Sequence, residues 1–531
     1  MEHQPPPRSF DILFVGAGVS TLYTLLNLFK RLSSRPTRQD RAPLRIGIVE
    51  RNSEGFGGVP YTSRSSTTAL LITSLRYFLP DAERALFVDW LKQNKHWALD
   101  PFKQNGGGIS ASWLEAHREA IDSGDWEDLY LPRYLFGLFM DSRVRRVIAT
   151  AEATGTCKVE LVQGTVSDLT RIEDSFEMDL TGPARRLRAA TVVLAVGSPP
   201  NHSKLVLPSG LDATGACLID DPYEPNLTGS LDRIESFLRN SVDPSPKVLF
   251  LGASASTMDV LYTLSDRLGT IGRKIRFRVL SPCGRLPDPL EQSSLSDPFR
   301  PLALLALNQK AVRPPHPISA EDIYAAAVRD IELGQSSGLT TSDTLGPISA
   351  AVDALVRGLP LGAKKEFATT WGNAIGRLQR RAGPEYSGVA AQLASQDGLE
   401  VLEGRFRRIR SVTPEGAEVE YESDGHIERL PKPKCVIVNC AGFAKIPDLP
   451  ADHLLRRIVA KDLARSTPTG TGIVVDEQLQ ASSGVFVLGP LLSGNVISGK
   501  PVWHLEHCGR ISVFSNVLAE ILDQRLAISL G

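Results

Sequence analysis

Phe10-Asp11-Ile12-Leu13-Phe14-Val15-Gly16-Ala17-Gly18-Val19-Ser20-Thr21, running into Leu22-Tyr23-Thr24-Leu25-Leu26, decides how the rest of the chain is read. A short apolar run stops at a glycine turn and a helical pattern begins at once. That order predicts a strand, a tight turn and a helix N-terminus. Gly16 lets the chain turn, and Gly18 leaves the backbone open to close approach. The helix start then offers free N–H groups and the positive end of its dipole, which suits a pyrophosphate. Ser20 and Thr21 stand in its first turn, with Thr21 where a third glycine is usual. Leu44-Arg45-Ile46-Gly47-Ile48-Val49-Glu50 reads as the next parallel strand. Its terminal acid fits the hydroxyls of an adenosine ribose. Taken alone, the stretch also fits an ordinary strand–loop–helix.

The remaining sequence narrows the choice. The chain has 531 residues, 42% hydrophobic and 22% charged, enough for two or three domains with real cores. The formal net charge is -1. No basic stripe points to nucleic acid and no basic amphipathic helix to a membrane surface. No signal peptide and no bilayer-spanning run is expected, so the expected location is cytoplasmic. The six cysteines, Cys157, Cys217, Cys283, Cys435, Cys440 and Cys508, form no Cys-x-x-Cys pair. They are expected as free thiols, with Cys435 and Cys440 as small core residues. His504 and His507 lie three apart without further ligands, so no metal is expected.

After Glu50 comes Gly55-Phe56-Gly57-Gly58-Val59-Pro60-Tyr61-Thr62. Glycines this dense let the backbone approach a flat ring or a phosphate. Following a ribose-binding acid, the stretch reads as a flavin-side loop containing Gly57, Gly58 and Tyr61. The strand Ala190–Leu194 leads into Ala195-Val196-Gly197. A second strand–turn–helix then repeats the opening device: Lys247-Val248-Leu249-Phe250-Leu251-Gly252-Ala253-Ser254-Ala255-Ser256-Thr257. Gly252 makes the turn, and the small Ser254 and Ser256 keep the backbone accessible. Its partner strand ends at Ser281 instead of an acid. With Arg278 and Arg285 nearby, that favours NADPH over NADH, unless these arginines are simply solvated surface. Pro287 to about Leu393 reads as mostly helical, either a substrate cover or scaffold. Apolar strands ending at Gly442 and at Gly489-Pro490-Leu491 follow, then a helix from about Leu505 to Leu526.

The expected fold class is α/β, with two Rossmann-like dinucleotide-binding domains, the second inserted in the first. The expected division is residues 9–240 for the first part of an FAD-binding domain. Residues 245–395 would form an NAD(P)-binding domain carrying a helical insertion at about 290–393, and residues 396–531 the returning part of the first.

The chain resembles the FAD/NAD(P)-binding proteins related to amino-acid N-hydroxylases of the nitrosuccinate synthase kind, and more distantly ornithine and lysine N-monooxygenases. The resemblance spans nearly the whole chain. It rests on Gly16-x-Gly18, Gly57-Gly58-Val59-Pro60-Tyr61, Pro132-Arg133-x-x-Phe136-Gly137, Gly252-x-x-x-Ser256-Thr257-x-Asp259, Asn439-Cys440-Ala441-Gly442 and Gly489-Pro490-Leu491. Asn439 to Phe443, with Pro447, is similar to the Ala-Thr-Gly-Tyr motif of the N-hydroxylases. The chain departs from the family at Ser281-Pro282, where the family carries Ser-Arg. The resemblance implies FAD, NAD(P)H and oxygen activation. It points to an NAD(P)H-dependent flavin monooxygenase acting on a small amine or amino-acid-like substrate. An FAD-dependent dehydrogenase or reductase without oxygen insertion, and a non-catalytic flavin-binding protein, are the alternatives. Such chemistry needs no Ser/His/Asp or paired-carboxylate signature, because the cofactor carries it. Arg133 is the candidate catalytic residue, as a bidentate partner for a substrate carboxylate. Tyr61 and His504 are further candidates for the cleft.

Overall fold

The computed structural model describes residues 8–35, 42–52, 55–182, 186–199, 205, 216–241, 245–269, 275–291, 293, 295–311, 318–413, 416–430, 435–504 and 508–529. Its opening strand, β1 (Arg8–Val15), buries Ile12 to Val15 without a break. Such a run belongs in the middle of a parallel sheet covered on both faces. β1 pairs in parallel with β2 (Leu44–Glu50), and β2 with β3 (Cys157–Gln163). The helix Val19–Ser33 follows β1, and its apolar face packs on the C-terminal helix Cys508–Ser529.

β4 (Thr165–Ile172) and β5 (Ser175–Thr181) form an antiparallel ribbon, and β5 pairs with the early part of β6 (Arg186–Leu194). The later part of β6 runs parallel to both β1 and the strand Val485–Val487. The strand Gln480–Ser482 completes an eight-stranded sheet. The chain thus comes back to its first module at its end.

The second sheet has five strands, all parallel. In order across the sheet they are Leu399–Glu403, β9 (Arg276–Ser281), β8 (Lys247–Leu251), Cys435–Asn439 and β7 (Ala216–Ile219). This moves both expected limits of the second module. β7 precedes residue 245, and Leu399–Glu403 and Cys435–Asn439 lie beyond 395, yet all three belong to the second sheet. Gly442, expected with the returning strands, therefore follows a strand of the second module. The physical reason is that buried parallel strands look alike locally. Apolar runs mark a strand without saying which sheet takes it.

The helical insertion has its own core. Ile323, Ala327, Ile348, Val352, Leu355 and Phe367 cluster apart from the main core. Two of its helices, Ala320–Ser336 and Thr341–Gly358, start with capping boxes at Ser319 and Thr340. Each box satisfies amide donors that a helix start otherwise leaves open. The insertion reaches the first module through Trp503. Phe367 meets its ring edge-on at 5.5 Å, and Asn373 donates to its carbonyl at 2.9 Å. The C-terminal helix is described from Cys508, and residues 505–507 lie outside the described part.

Candidate functional site

The two modules repeat one device, bond for bond. At the first turn the Gly16 amide donates to Val49 O at 2.8 Å, and at the second the Gly252 amide donates to Leu280 O at 2.8 Å. Thr21 Oγ1 donates to Gly16 O at 2.6 Å, and Thr257 Oγ1 to Gly252 O at 2.7 Å. The Ala195 amide donates to Val15 O, and the Cys440 amide to Leu251 O, both at 2.9 Å. The Gly164 amide donates to Glu50 O, and the Gly404 amide to Ser281 O, again at 2.9 Å. Gly16 and Gly252 have φ of 106° and 102°, where only glycine rests easily. A Cβ on Gly16 would lie 2.4 Å from Ala195 O, and one on Gly252 would lie 2.5 Å from Cys440 O. Both turns are therefore pinned against the neighbouring strand end.

Each turn feeds a helix with an unfilled N-terminus. Neither Val19–Ser33 nor Ala255–Leu268 has a side-chain cap or an acid in its first turn. The amide donors and the dipole at these ends are thus not answered by a side chain, which suits an anionic ligand. Gly18 supports that use at the first turn. A Cβ there would meet no atom within 4 Å, so among the described residues none fills the space beside it. The same holds at Gly197 and Gly442, which follow the equivalent strands.

Around the first turn the expected residues gather. The Gly57 amide donates to Ala17 O at 3.0 Å, and a Cβ on Gly58 would lie 3.1 Å from the Gly18 Cα. The glycine loop therefore lies directly on the turn. One Glu50 carboxylate oxygen accepts from the Ala17 amide at 3.0 Å, the other from the Asn52 amide and side chain. Ser20 is buried beside Gly489, whose Cβ would meet the Ser20 hydroxyl at 2.9 Å. Pro490 and Leu491 continue from there in a short turn, Leu491 buried. A cavity of about 160 Å³ opens beyond Gly16 and Glu50, walled by Gly164, Val166, Val196 and Leu454. The walls from Gly164, Val196 and Leu454 were not anticipated. The glycine ending β3 was the available signal for the first of them.

At the second turn, Ser254 accepts from Arg380 at 2.8 Å, a contact supplied by the helical insertion. Ser256 is half-buried in the first helical turn. Ser281 is buried where Glu50 stands in the first module, and its hydroxyl accepts from the Cys283 amide at 3.3 Å. Arg278 pairs with Glu400 at 2.6 Å, and Arg285 donates to Leu378 O at 3.1 Å. Neither arginine is a bare cation.

Arg133 is placed otherwise than expected. It is buried, and each guanidinium nitrogen already has a partner. Nη1 meets Asp259 Oδ2 at 2.7 Å, Nε donates to Ser65 Oγ at 3.1 Å and Nη2 to Ser65 O at 3.4 Å. Burial disfavours its charge, but Asp259 outweighs that and holds its pKa above the ordinary value. The catalytic assignment is therefore corrected, because this guanidinium holds an internal carboxylate rather than facing a cleft. The opposing Asp259, with Tyr223 and Tyr386 donating to it at 2.7 Å each, was missed as a site. Tyr61 is half-buried. Its hydroxyl accepts from Cys508 Sγ at 3.1 Å, and burial raises its pKa well above the usual tyrosine value. Burial likewise pushes the Cys508 thiol up to about 12, so it is no nucleophile at neutral pH. His504 is exposed beside Trp503.

All six cysteines are free thiols. Among the described residues no group of three or more His, Cys, Asp or Glu gathers to hold a metal. No described helix is long and apolar enough to cross a membrane.

Comparison with known proteins fits this geometry. Residues 13–199 match the FAD-NAD(P)-binding family model. A cadaverine monooxygenase of Erwinia amylovora, solved with FAD, superposes with a TM-score of 0.54 at 12% identity, over 96% of this chain and 93% of that one. An ornithine N-hydroxylase of Kutzneria, solved with reduced FAD, NADP+ and L-ornithine, gives 0.51 at 14% identity, over 97% and 99%. This is the two-dinucleotide flavoprotein fold. An uncharacterized Mycobacterium tuberculosis protein is 29% identical over 97% of this chain and 96% of its own length. Within that fold, the eight-stranded sheet forms the first module and the five-stranded sheet the second.

Proposed function

We propose that this chain is an FAD-dependent oxidoreductase that uses NAD(P)H and molecular oxygen to hydroxylate a small amine or amino-acid-like substrate. One observation carries it: the same glycine turn, followed by a helix start without cap or acid, occurs once in each module. Two such turns in one chain suit two dinucleotides, one that stays and one that comes and goes. The solved proteins that share this architecture over nearly their whole length include a cadaverine monooxygenase and an ornithine N-hydroxylase.

In this reading the first module holds FAD. Gly16, Gly18, Ser20 and Thr21 form the pyrophosphate turn, and Glu50 takes the ribose. Gly57, Gly58 and Tyr61 build the loop on that turn, and Gly197, Gly489, Pro490 and Leu491 close the sheet end around it. The second module takes NADPH or NADH at Gly252, Ser254, Ser256, Thr257, Ser281 and Gly442. Bound FAD supplies the electron-transfer and oxygen chemistry, and the protein binds, orients and excludes water. The helical insertion, anchored on Trp503, covers the substrate side. The cytosol, where NAD(P)H is at hand, is its place of work.

The test is to purify the chain and look for bound FAD. It is then reduced anaerobically with NADPH and with NADH, and oxygen is admitted with a panel of diamines and amino acids. An N-hydroxylated product formed only with oxygen supports the reading. Reduction followed by reoxidation without any oxygenated product makes it a reductase. Flavin that neither nucleotide reduces makes it a binding protein.

A further inference from the structure

Four segments far apart in sequence converge on one buried carboxylate. Asp259 lies one turn into the helix Ala255–Leu268, whose N-terminus is the second nucleotide turn. Its Oδ2 takes Arg133 Nη1 at 2.7 Å and Tyr223 Oη at 2.7 Å, and its Oδ1 takes Tyr386 Oη at 2.7 Å. Tyr386 Oη in turn accepts from the Leu70 amide at 2.8 Å. Asp259 is 3% exposed and Arg133 8%, so water does not screen the pair.

Each charge is also tied to one of the nucleotide turns. Arg133 immediately precedes the helix Tyr134–Ala153. On the first turn of that helix, Gly137 presses against the Tyr61 carbonyl so closely that a Cβ would lie 1.6 Å away. Tyr61 ends the loop whose Gly58 rests on Gly18. On the other side, Asp259 shares a helix with Thr257, whose hydroxyl holds the Gly252 turn. The contacts therefore run from Gly18 through Gly58, Tyr61, Gly137, Arg133 and Asp259 to Gly252. Other ties cross between the modules. Asp266 accepts from the Gly107 and Ser110 amides at 3.0 and 2.9 Å, and Arg64 donates twice to Pro225 O. Arg51 and Arg64 also face Glu224, which is only partly buried. Among the described residues, Asp259 and Arg133 couple the two nucleotide turns through opposite charges that are both buried.

We infer that Asp259 and Arg133 are positioning residues. Their pair fixes the second nucleotide turn against the first and so sets the register at which nicotinamide meets flavin. The inference rests on the two-nucleotide reading above. A buried ion pair is a weak source of net stability, yet its geometry is demanding, which suits a registering role. Hydride transfer is sensitive to such register, since a misplacement of about 1 Å can cost on the order of 100-fold in rate.

The test uses the full-length holoprotein and three forms: wild type, Asp259→Asn, and the triple variant Arg133→Met, Tyr223→Phe, Asp259→Leu. Asp259→Asn leaves the Arg133 charge buried without its counter-charge, and a fall in Tm is expected. The triple variant replaces the cluster with apolar groups of similar size and is expected to recover most of that Tm. Spin labels at Cys283 and at Asp174→Cys report the distance between the modules. The anaerobic rate of flavin reduction at saturating NADPH reports the register, and FAD content reports the first site. The expected result is a triple variant with wild-type FAD content and near-wild-type Tm. Its label distances should be broadened and its reduction slowed about tenfold or more. A triple variant that regains Tm together with wild-type distances and rate overturns the inference and leaves the pair as scaffold. If wild type itself is not reduced by either nucleotide, the functional reading fails. The label distances still decide whether the pair registers the modules.

Discussion

Thr21, at the position where a third glycine is usual, donates its Oγ1 hydroxyl to the Gly16 carbonyl at 2.6 Å. The threonine is fully buried, and Thr257 makes the same bond to Gly252 in the second module. The hydroxyl closes the turn from inside and spans the helix–strand contact, which is why a side chain is accepted there. Thr21→Val keeps the shape and removes the bond, leaving a carbonyl in the turn without that donor. A loss of about 1–2 kcal/mol is expected, with weaker FAD retention. Thr21→Ser restores the donor and should recover most of it. Thermal melts and the flavin absorbance of the purified variants read both effects.

Gly137 offers a sharper test of the same site. A Cβ there would sit 1.6 Å from the Tyr61 carbonyl oxygen, and that obstacle is backbone, which cannot swing aside. Gly137→Ala should push the Gly57–Tyr61 loop off the first turn. The expected cost is about 3 kcal/mol or more, with FAD lost in proportion. Gly388, in the helix Pro384–Ser395, is the control, since its Cβ would meet nothing within 4 Å. Gly388→Ala should gain about 0.5–1 kcal/mol in a denaturant titration, because the helix loses less entropy on folding. Equal effects from the two substitutions would refute the close-contact argument.

The contrast between these glycines shows what could be read from the chain. Gly16, Gly18, Gly252 and Glu50 announce themselves because the turn chemistry is local and each residue is needed at a fixed spacing. The duplication of the turn was legible for the same reason. Which sheet takes Cys435–Asn439 was not, since pairing is decided by partners hundreds of residues away. Arg133 looked like a substrate clamp because a sequence displays a charge without its partner. Asp259, 126 residues further along, becomes visible as that partner only once the helices are packed. The pocket walls at Val196 and Leu454, one in the segment after β6 and the other at the start of the helix Leu454–Ala460, carry no pattern of their own.

The repeat also predicts nucleotide choice. Ser281 closes β9 where Glu50 closes β2, and both carbonyls accept from a glycine amide at 2.9 Å. An acid at that point binds ribose hydroxyls and repels a 2′-phosphate; a serine does not. Ser281→Glu should therefore weaken NADPH about tenfold or more relative to NADH, with FAD content unchanged. Ala253 follows Gly252 as Ala17, whose amide donates to Glu50, follows Gly16. The ratio of the two dissociation constants is the quantity to measure. An unchanged ratio would mean that the adenosine ribose lies elsewhere.

Glu385 should give the fold a pH dependence of its own. It begins the helix Pro384–Ser395, between the modules, and burial pushes its carboxyl up to about 7. Its Oε1 is 3.9 Å from His117 Nε2, and Oε2 is buried. Burial holds His117 below the ordinary histidine value. Trp113, Tyr130 and Tyr262 face the carboxyl, and Arg381 stands beyond Tyr130. A carboxyl whose pKa is raised on folding binds its proton more tightly in the native state than in the unfolded chain. Its contribution is therefore full below about pH 4.5 and is lost as pH rises toward 7, on the order of 3 kcal/mol. His117 acts in the opposite sense, since its native state prefers the neutral ring and loses stability as pH falls through 6.5. Glu385→Gln keeps the shape and removes the titration. It should melt higher than wild type at pH 8, match it near pH 4.5, and flatten the decline between. Parallel stability curves for the two proteins from pH 4.5 to 8 would show that this carboxyl stays charged in the fold.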